Sequence, residues 1–404
     1  MKKILTLSVL AGLIGAISAP AQTKDIYITG STAFRSQAYT AIKTGLFSAT
    51  GFTEYPSGAG ASPGNSQWIM SGTMPTLFGS TPVVVHANFT GSVQGIYSLY
   101  NNTDTKTYYK DTSGNLITNT ASCAFSDVDS ISTSYPLSPA SYRELHVAIQ
   151  PFVWVRNAAC SIAISNVTIQ QLQEFMPLGE INLSYFTGNP NDNANNVWLV
   201  NRSLDSGTRV TAYADANVSG SPVVWYWNTN AAMYSGYIGF VVATNYLGPS
   251  LFSYGYVGGG DVSAAMNLAT TNALAYLGLA DAKNVNGGLD ILTYNGFTPS
   301  SDIKTGVAVP TSPSFDKVIN GQYSYWAYEC LDYPKTISYG GQDISGTDVD
   351  TFCRALAGYN SLYQFVPGST GSIDSVLATA TPVVAVRLGQ MNVGRQAVGG
   401  PISP

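Results

Sequence analysis

Hydrophobic and polar positions fall into short alternating segments along this chain. Residues 25–29 (DIYIT) are strand-like and residues 33–44 have helical spacing; residues 82–87 (PVVVHA) and 93–100 (VQGIYSLY) repeat that order. Strand followed by helix, twice over, predicts an α/β fold with a substantially parallel sheet. Residues 145–155 (LHVAIQPFVWV) form a long apolar run rich in β-branched and aromatic residues, as expected of a buried strand crossing between lobes. A second such run, residues 323–331 (YSYWAYECL), predicts a return crossing. Between them, residues 167–175 read as a helix, and Gly258-Gly259-Gly260-Asp261 predicts the cap of a helix over 262–274. Residues 57–66 (SGAGASPGNS) read as loop, the tail from Val393 as loose, and residues 56–82 and 223–256 as insertions. At 404 residues the chain is long enough for two lobes.

The amino terminus changes where such a fold would work. Met1-Lys2-Lys3, a mostly apolar run over 4–17 and Ala19-Pro20-Ala21 before Gln22 make the pattern of a secretory signal over residues 1–21. No Cys stands at the cleavage point for lipid attachment, and no later run reaches the roughly 20 apolar residues of a spanning helix. The mature chain is therefore expected to be soluble and periplasmic or secreted, without stable membrane insertion. Only 10% of residues are charged and the net charge is −5, which gives no general attraction to nucleic acid or an anionic membrane. A local cluster of oriented donors can still hold an anion. Cys123, Cys160, Cys330 and Cys353 form an even set in a chain bound for an oxidising compartment. Disulfides are expected over metal ligation, Cys330–Cys353 with Cys123–Cys160 being one of three pairings. His86 and His146 stand apart in sequence and read as structural.

Candidate chemistry concentrates where strands give way to helices. Thr29-Gly30-Ser31-Thr32-Ala33, Thr90-Gly91-Ser92-Val93-Gln94-Gly95, Ser126-Asp127, and Arg202 with Ser206-Gly207-Thr208-Arg209 each put small or hydroxyl residues at such a junction. Backbone N–H groups there point outward beside the positive end of the helix dipole. Singly each is an ordinary cap or turn; four in sequence suggest a site. No GxSxG, HExxH or P-loop pattern accompanies them, and two histidines leave little room for a Ser-His arrangement, so no enzyme is expected.

In this order the motifs resemble those of the phosphate-binding substrate-binding proteins of bacterial ABC transporters, within the type II periplasmic binding proteins. Gly30-Ser31-Thr32, Gly91-Ser92-Val93-Gln94-Gly95-Ile96, Ser126-Asp127, and Arg202 with Ser206-Gly207-Thr208 carry the likeness, and residues 167–181, Gly260-Asp261-Val262 and Tyr276-Leu277-Gly278 extend it over most of the mature chain. The resemblance implies a two-lobed α/β fold with mixed sheets flanked by helices and two crossings between lobes, residues 22–148 with 325–404 forming one lobe and 149–324 the other. It also implies inorganic phosphate as ligand and an ABC permease as partner. Ser31, Thr32, Ala33, Ser92, Asp127, Arg202, Ser206, Gly207 and Thr208 would line the site. Hydroxyls and backbone N–H groups would donate, Arg202 would add a bidentate contact, and Asp127 would accept a proton from phosphate and so reject sulfate. Read from its residues alone, Asp127 is equally an N-cap of the next helix.

The chain departs from that pattern at Leu204, where the family carries an acid two positions after its arginine; Asp205 lies one further on. Arg35 and Arg209 flank the motifs and read either as added charge or as surface residues. The alternative to a binding protein is a secreted surface, adhesion or structural protein that keeps the fold without the ligand, which low charge and abundant Tyr, Asn and Gly would suit.

Overall fold

A computed structural model describes residues 22–55, 64–101, 108–219, 225–228, 239–242, 255–283, 289–336 and 346–404. The signal expected over 1–21, most of the loop at 57–66 and much of the segment 223–256 lie outside the described residues. Among the described residues, no helix is long and apolar enough to cross a membrane.

The strands in chain order are β1 (Lys24–Gly30), β2 (Thr53–Tyr55), β3 (Gln67–Thr73), β4 (Pro82–Asn88), β5 (Tyr108–Lys110), β6 (Leu116–Thr118), β7 (Cys123–Ser126) and β8 (Tyr142–Asn157). After them come β9 (Asn166–Val167), β10 (Glu180–Asn182), β11 (Asn196–Val200), β12 (Trp225–Asn228), β13 (Gly239–Val242), β14 (Ala273–Gly278), β15 (Leu289–Ile291), β16 (Thr293–Tyr294) and β17 (Trp326–Pro334). Among the described residues, thirteen strands join in one mixed sheet: eleven follow the path β13-β12-β11-β14-β8-β17-β7-β1-β4-β3-β2, while β10 pairs with β11 and β15 with β8 beside it. Among the described residues, parallel pairing within this sheet falls in two places, β7-β1-β4 and β12-β11-β14, each flanked by antiparallel strands, and β9 and β16 form a separate parallel pair. Strand–helix alternation therefore locates the parallel segments, while the rest of the sheet pairs antiparallel.

β8 explains how one sheet serves two cores. Its 16 residues pair with β17 and, towards the C-terminal end, with β14 and β15. Leu145, Val147 and Ala148 pack into one apolar cluster with Ile26, Ile28, Val83, Val85, Phe125 and Phe352. Ile149, Val153 and Val155 pack into another with Leu172, Phe175, Leu199, Val262 and Leu274. The change of core falls between Ala148 and Ile149. From Val147 onward every residue of the strand is buried, which is why this run carries no polar alternation. Each such Val, Leu, Ile or Phe contributes about 1.5–3 kcal/mol.

Several local expectations shift. The helix expected over 262–274 is instead the helix Gly259–Leu268 followed by β14, because the β-prone sequence ALAYLG is taken up by the sheet beside β8 and β11. Its cap is as expected, with the Gly258 N–H donating to the Asp261 carboxylate at 2.9 Å. The segment 56–82 contributes β3, paired along its length with β4, so much of it is sheet rather than loop. The tail is not loose: Gly394 and Ser403 exchange backbone hydrogen bonds of 2.8 and 2.9 Å, and Arg395 and Val398 are buried.

The expected disulfides are absent among the described residues. All four cysteines are free and buried. The thiol beside Cys353 is that of Cys123, not Cys330. Cys330, one strand over on β17, instead faces Asp129 with its Sγ at 3.9 Å, and burial together with nearby carboxylates raises its thiol well above the ordinary range.

Candidate functional site

The carboxyl ends of β1, β4 and β7 lie side by side because these strands run parallel, and β11 ends opposite them at Val200. Crevices at such ends are where open α/β sheets take ligands. Glycine is required at the first junction: Gly30 has φ +113°, and an added Cβ would lie 1.9 Å from the Phe125 carbonyl oxygen. That close approach lets Ser31 donate its N–H to Phe125 O at 2.8 Å and Gly91 donate its own to Gly30 O at 2.8 Å. The loop after β1 is thereby stitched to β7 and to the start of the helix Ser92–Tyr100.

Asp127, directly after β7, is the centre of the cluster. It is buried, and Ser92 Oγ donates to its Oδ1 while Thr208 Oγ1 donates to its Oδ2 at 3.1 Å. The Asp127 N–H returns a bond to Ser92 Oγ at 3.2 Å, and Thr211 Oγ1 donates to its carbonyl at 3.4 Å. The capping alternative for Asp127 fails, since the short turn Ser130–Ser132 that follows has Asp129 at its N-cap. Burial raises the Asp127 carboxyl above its ordinary range, and the Ser92 bond, the Arg202 charge and the Thr208 bond oppose that rise.

The helix Gly207–Asp215 packs in the same apolar cluster as the helix Ser92–Tyr100, through Ala212 and Tyr213. Ser206 caps it by accepting from the Arg209 N–H at 3.3 Å. Gly207 sits so close that an added Cβ would come 1.8 Å from Asp127 Oδ1, leaving room there for glycine alone. The two helix starts touch through the backbone as well, with Val93 N–H donating to the Asp205 carbonyl at 3.0 Å. Leu204 is half exposed and turned away.

Arg202 is 2% exposed, and its guanidinium donates to neutral oxygens: Tyr256 O at 3.3 Å, Val257 O at 2.8 Å and Thr32 Oγ1 at 3.3 Å. Among the described residues, no carboxylate pairs with it directly; Asp127 and Asp281 act on it through space. Arg209 is buried rather than a surface residue, and donates to the Arg202 carbonyl at 2.9 Å, which fixes the backbone that presents Arg202. Arg35 lies 3.9 Å from the buried Asp281.

The structure thus brings together Thr32, Ser92, Asp127, Arg202, Ser206, Gly207 and Thr208. Ser31 and Ala33 point elsewhere: the Ser31 hydroxyl donates to Glu329 at 3.3 Å, and Ala33 lies against Gly278. Sequence reasoning missed two acids here. Glu329 on β17 is fully buried, its Oε1 has no partner, and burial and Asp127 raise it well above the carboxylate range. Asp281 is likewise raised by burial. For Glu329 the signal was a single acid inside the apolar run YSYWAYECL; for Asp281 there was none.

No family model and no curated protein matches this chain. Among solved structures it is similar to a Clostridium perfringens protein described as a phosphate ABC transporter substrate-binding protein, with phosphate bound, at 11% identity and TM-score 0.46 over 90% of this chain and 100% of that one. It is also similar to an ABC-type phosphate transport receptor from Vibrio cholerae, at 14% identity and TM-score 0.40 over 82% and 94% of the two chains. A phosphate-binding protein from Stenotrophomonas maltophilia is similar at 14% identity and TM-score 0.38 over 82% and 83%.

Proposed function

We propose that this chain is an extracytoplasmic solute-binding protein that captures a small oxyanion, phosphate first, and performs no chemistry on it. The observation that carries the reading is the convergence of two helix N-termini from distant parts of the chain, at Ser92 and Gly207, on the buried Arg202 and Asp127. Helix N-termini favour negative charge, and a buried guanidinium bonded to neutral oxygens retains its full charge for an anion. Ser92 and Thr208 donate to Asp127 here; a bound oxyanion takes over these donors together with the backbone N–H of Gly207, while Thr32 and Ser206 complete the shell. Asp127 then accepts the proton of hydrogen phosphate, which a fully ionised sulfate cannot supply. Ser31 supports the loop through Glu329 instead of touching the ligand, and Ala33 offers its backbone N–H.

In this reading residues 22–148 with 325–404 and residues 149–324 are lobes that close on the ion by a hinge in β8 and β17. Residues 1–21 direct export, the mature chain works in the periplasm or is secreted, and an ABC permease receives the ion. Isothermal titration with phosphate and then sulfate tests this. Saturable binding of phosphate without sulfate is the expected result. Silence with both anions would overturn the reading and favour a surface, adhesion or structural protein.

A further inference from the structure

A second cluster of reactive side chains lies on the β8–β17 pair. His146 stands opposite Cys330 and Glu144 opposite Asp332, and alternate residues of a strand share a face. A register shift between Glu329 and Cys330 marks a bulge, a device that re-aims side chains. The turn after β7 lays Asp129 over this face, its Oδ1 3.9 Å from Cys330 Sγ and 4.0 Å from His146 Nε2. His146 Nε2 is 3.8 Å from Glu144 Oε1. One donor atom each from Asp129, Glu144, His146 and Cys330 lies within 4.8 Å of all the others.

The donors are oriented. Val398 N–H holds Asp129 Oδ2 at 3.2 Å and Ser130 N–H holds Glu144 Oε2 at 3.3 Å, so the remaining oxygen of each carboxylate faces the common centre. The His146 ring is held flat on Tyr328, with centroids 4.0 Å apart and planes 6° apart. Outer contacts of this kind fix metal ligands in place.

Independently, Asp332 is fully buried with neither carboxylate oxygen hydrogen-bonded, and its electrostatic neighbours are Glu144, Asp129 and Cys123. A buried acid left so is costly unless a cation balances it. The buried cation that acts on Asp129, Arg395, has its guanidinium 3.8 Å from Asp215.

We propose that Asp129, Glu144, His146 and Cys330 form a binding site for a divalent transition-metal ion, zinc by the chemistry of the donors, with the buried Asp332 carboxyl behind them. One thiolate, one imidazole and two carboxylates suit four-coordinate zinc, whereas calcium and magnesium prefer oxygen alone. Metal–ligand lengths of about 2.0 Å to N or O and 2.3 Å to S give tetrahedral edges of about 3.3–3.7 Å. The separations of 3.8, 3.9 and 4.0 Å contract by roughly 0.4–0.7 Å on binding, and the widest pairs, bounded by 4.8 Å, by about an ångström or more. Binding deprotonates the Cys330 thiol, whose proton passes to solvent.

The test is cobalt(II) titration of the chelator-treated chain, followed by zinc competition. One equivalent of cobalt should give a sulfur-to-metal charge-transfer band and the intense visible bands of four-coordinate cobalt, and zinc should displace it. Cys330→Ser should abolish the charge-transfer band and Cys160→Ser should leave it. Glu144→Gln, on the solvent side of the cluster, keeps the test open should the cysteine variant fail to fold, and should weaken zinc at least about tenfold. No thiolate band in the unaltered chain, a band that survives Cys330→Ser, or zinc affinity unchanged by Glu144→Gln would each overturn the proposal.

Discussion

Asp127 and Asp129 leave the end of β7 two residues apart and meet opposite surroundings. Asp127 is met by donors, the hydroxyls of Ser92 and Thr208, with the positive charge of Arg202 beyond them. Asp129 is met by one backbone donor, the Val398 N–H, and otherwise by an imidazole, a thiol and acids, with His146, Cys330, Glu144 and the unpartnered Asp332 nearby. The first surroundings suit an anion that carries a proton; the second suit a cation. A net charge of −5 describes neither, because what a buried site prefers is set within a few ångströms by oriented dipoles and charges.

The strongest way to break this contrast is at its cation. Arg202→Ala should weaken phosphate binding by about 2–5 kcal/mol, on the order of thirtyfold to several thousandfold, the range for truncating one side of a buried charged contact. Titration calorimetry on variant shown by circular dichroism to be folded checks it, and an unchanged affinity would remove Arg202 from the site. Asp127→Asn keeps the shape and removes the proton acceptor. It should relax phosphate-over-sulfate discrimination by about tenfold, near the 1.4 kcal/mol of one modest hydrogen bond; equal selectivity in both proteins would return Asp127 to a structural role.

The smallest effect sharpens the comparison from outside both clusters. Burial raises Asp281 above its unfolded value, so the folded chain holds that proton more tightly. Its contribution to stability is complete at pH below the ordinary carboxylate value of about 3.9 and is lost as pH rises through the raised folded value. Asp281→Asn should therefore flatten the rise in stability on acidification, read by denaturant melts across that range. Because Asp281 also acts on Arg202, the same variant should bind phosphate a few-fold more tightly. An unaltered pH profile would mean that Asp281 does not titrate across that range.

Strand–helix junctions proved the most legible part of the chain. Residues 25–29, 82–87 and 93–100 form their expected elements within a residue or so at each end, and Thr32, Ser92, Asp127, Arg202, Ser206 and Thr208 do meet. Glycine made this possible in ways no side chain could, since Gly30 and Gly207 stand where a Cβ would strike Phe125 and Asp127. Less legible were positions whose partners lie far along the chain. Glu329 sits among aromatic neighbours in sequence, yet reaches Ser31 across the sheet. Cys330 looked like half of a disulfide because the even cysteine count spoke for pairing, whereas β17 turns it towards Asp129.

By itself the sequence determined where strands end, where helices begin and which of those junctions carry donors, because caps, tight turns and apolar periodicity are decided by neighbours a few residues away. The tertiary structure alone decided that one sheet serves two cores through β8, and that Glu144 and His146 face Cys330 and Asp332. Those outcomes depend on strand register and on a bulge, and a shift of one residue in register would turn every side chain involved to the opposite face.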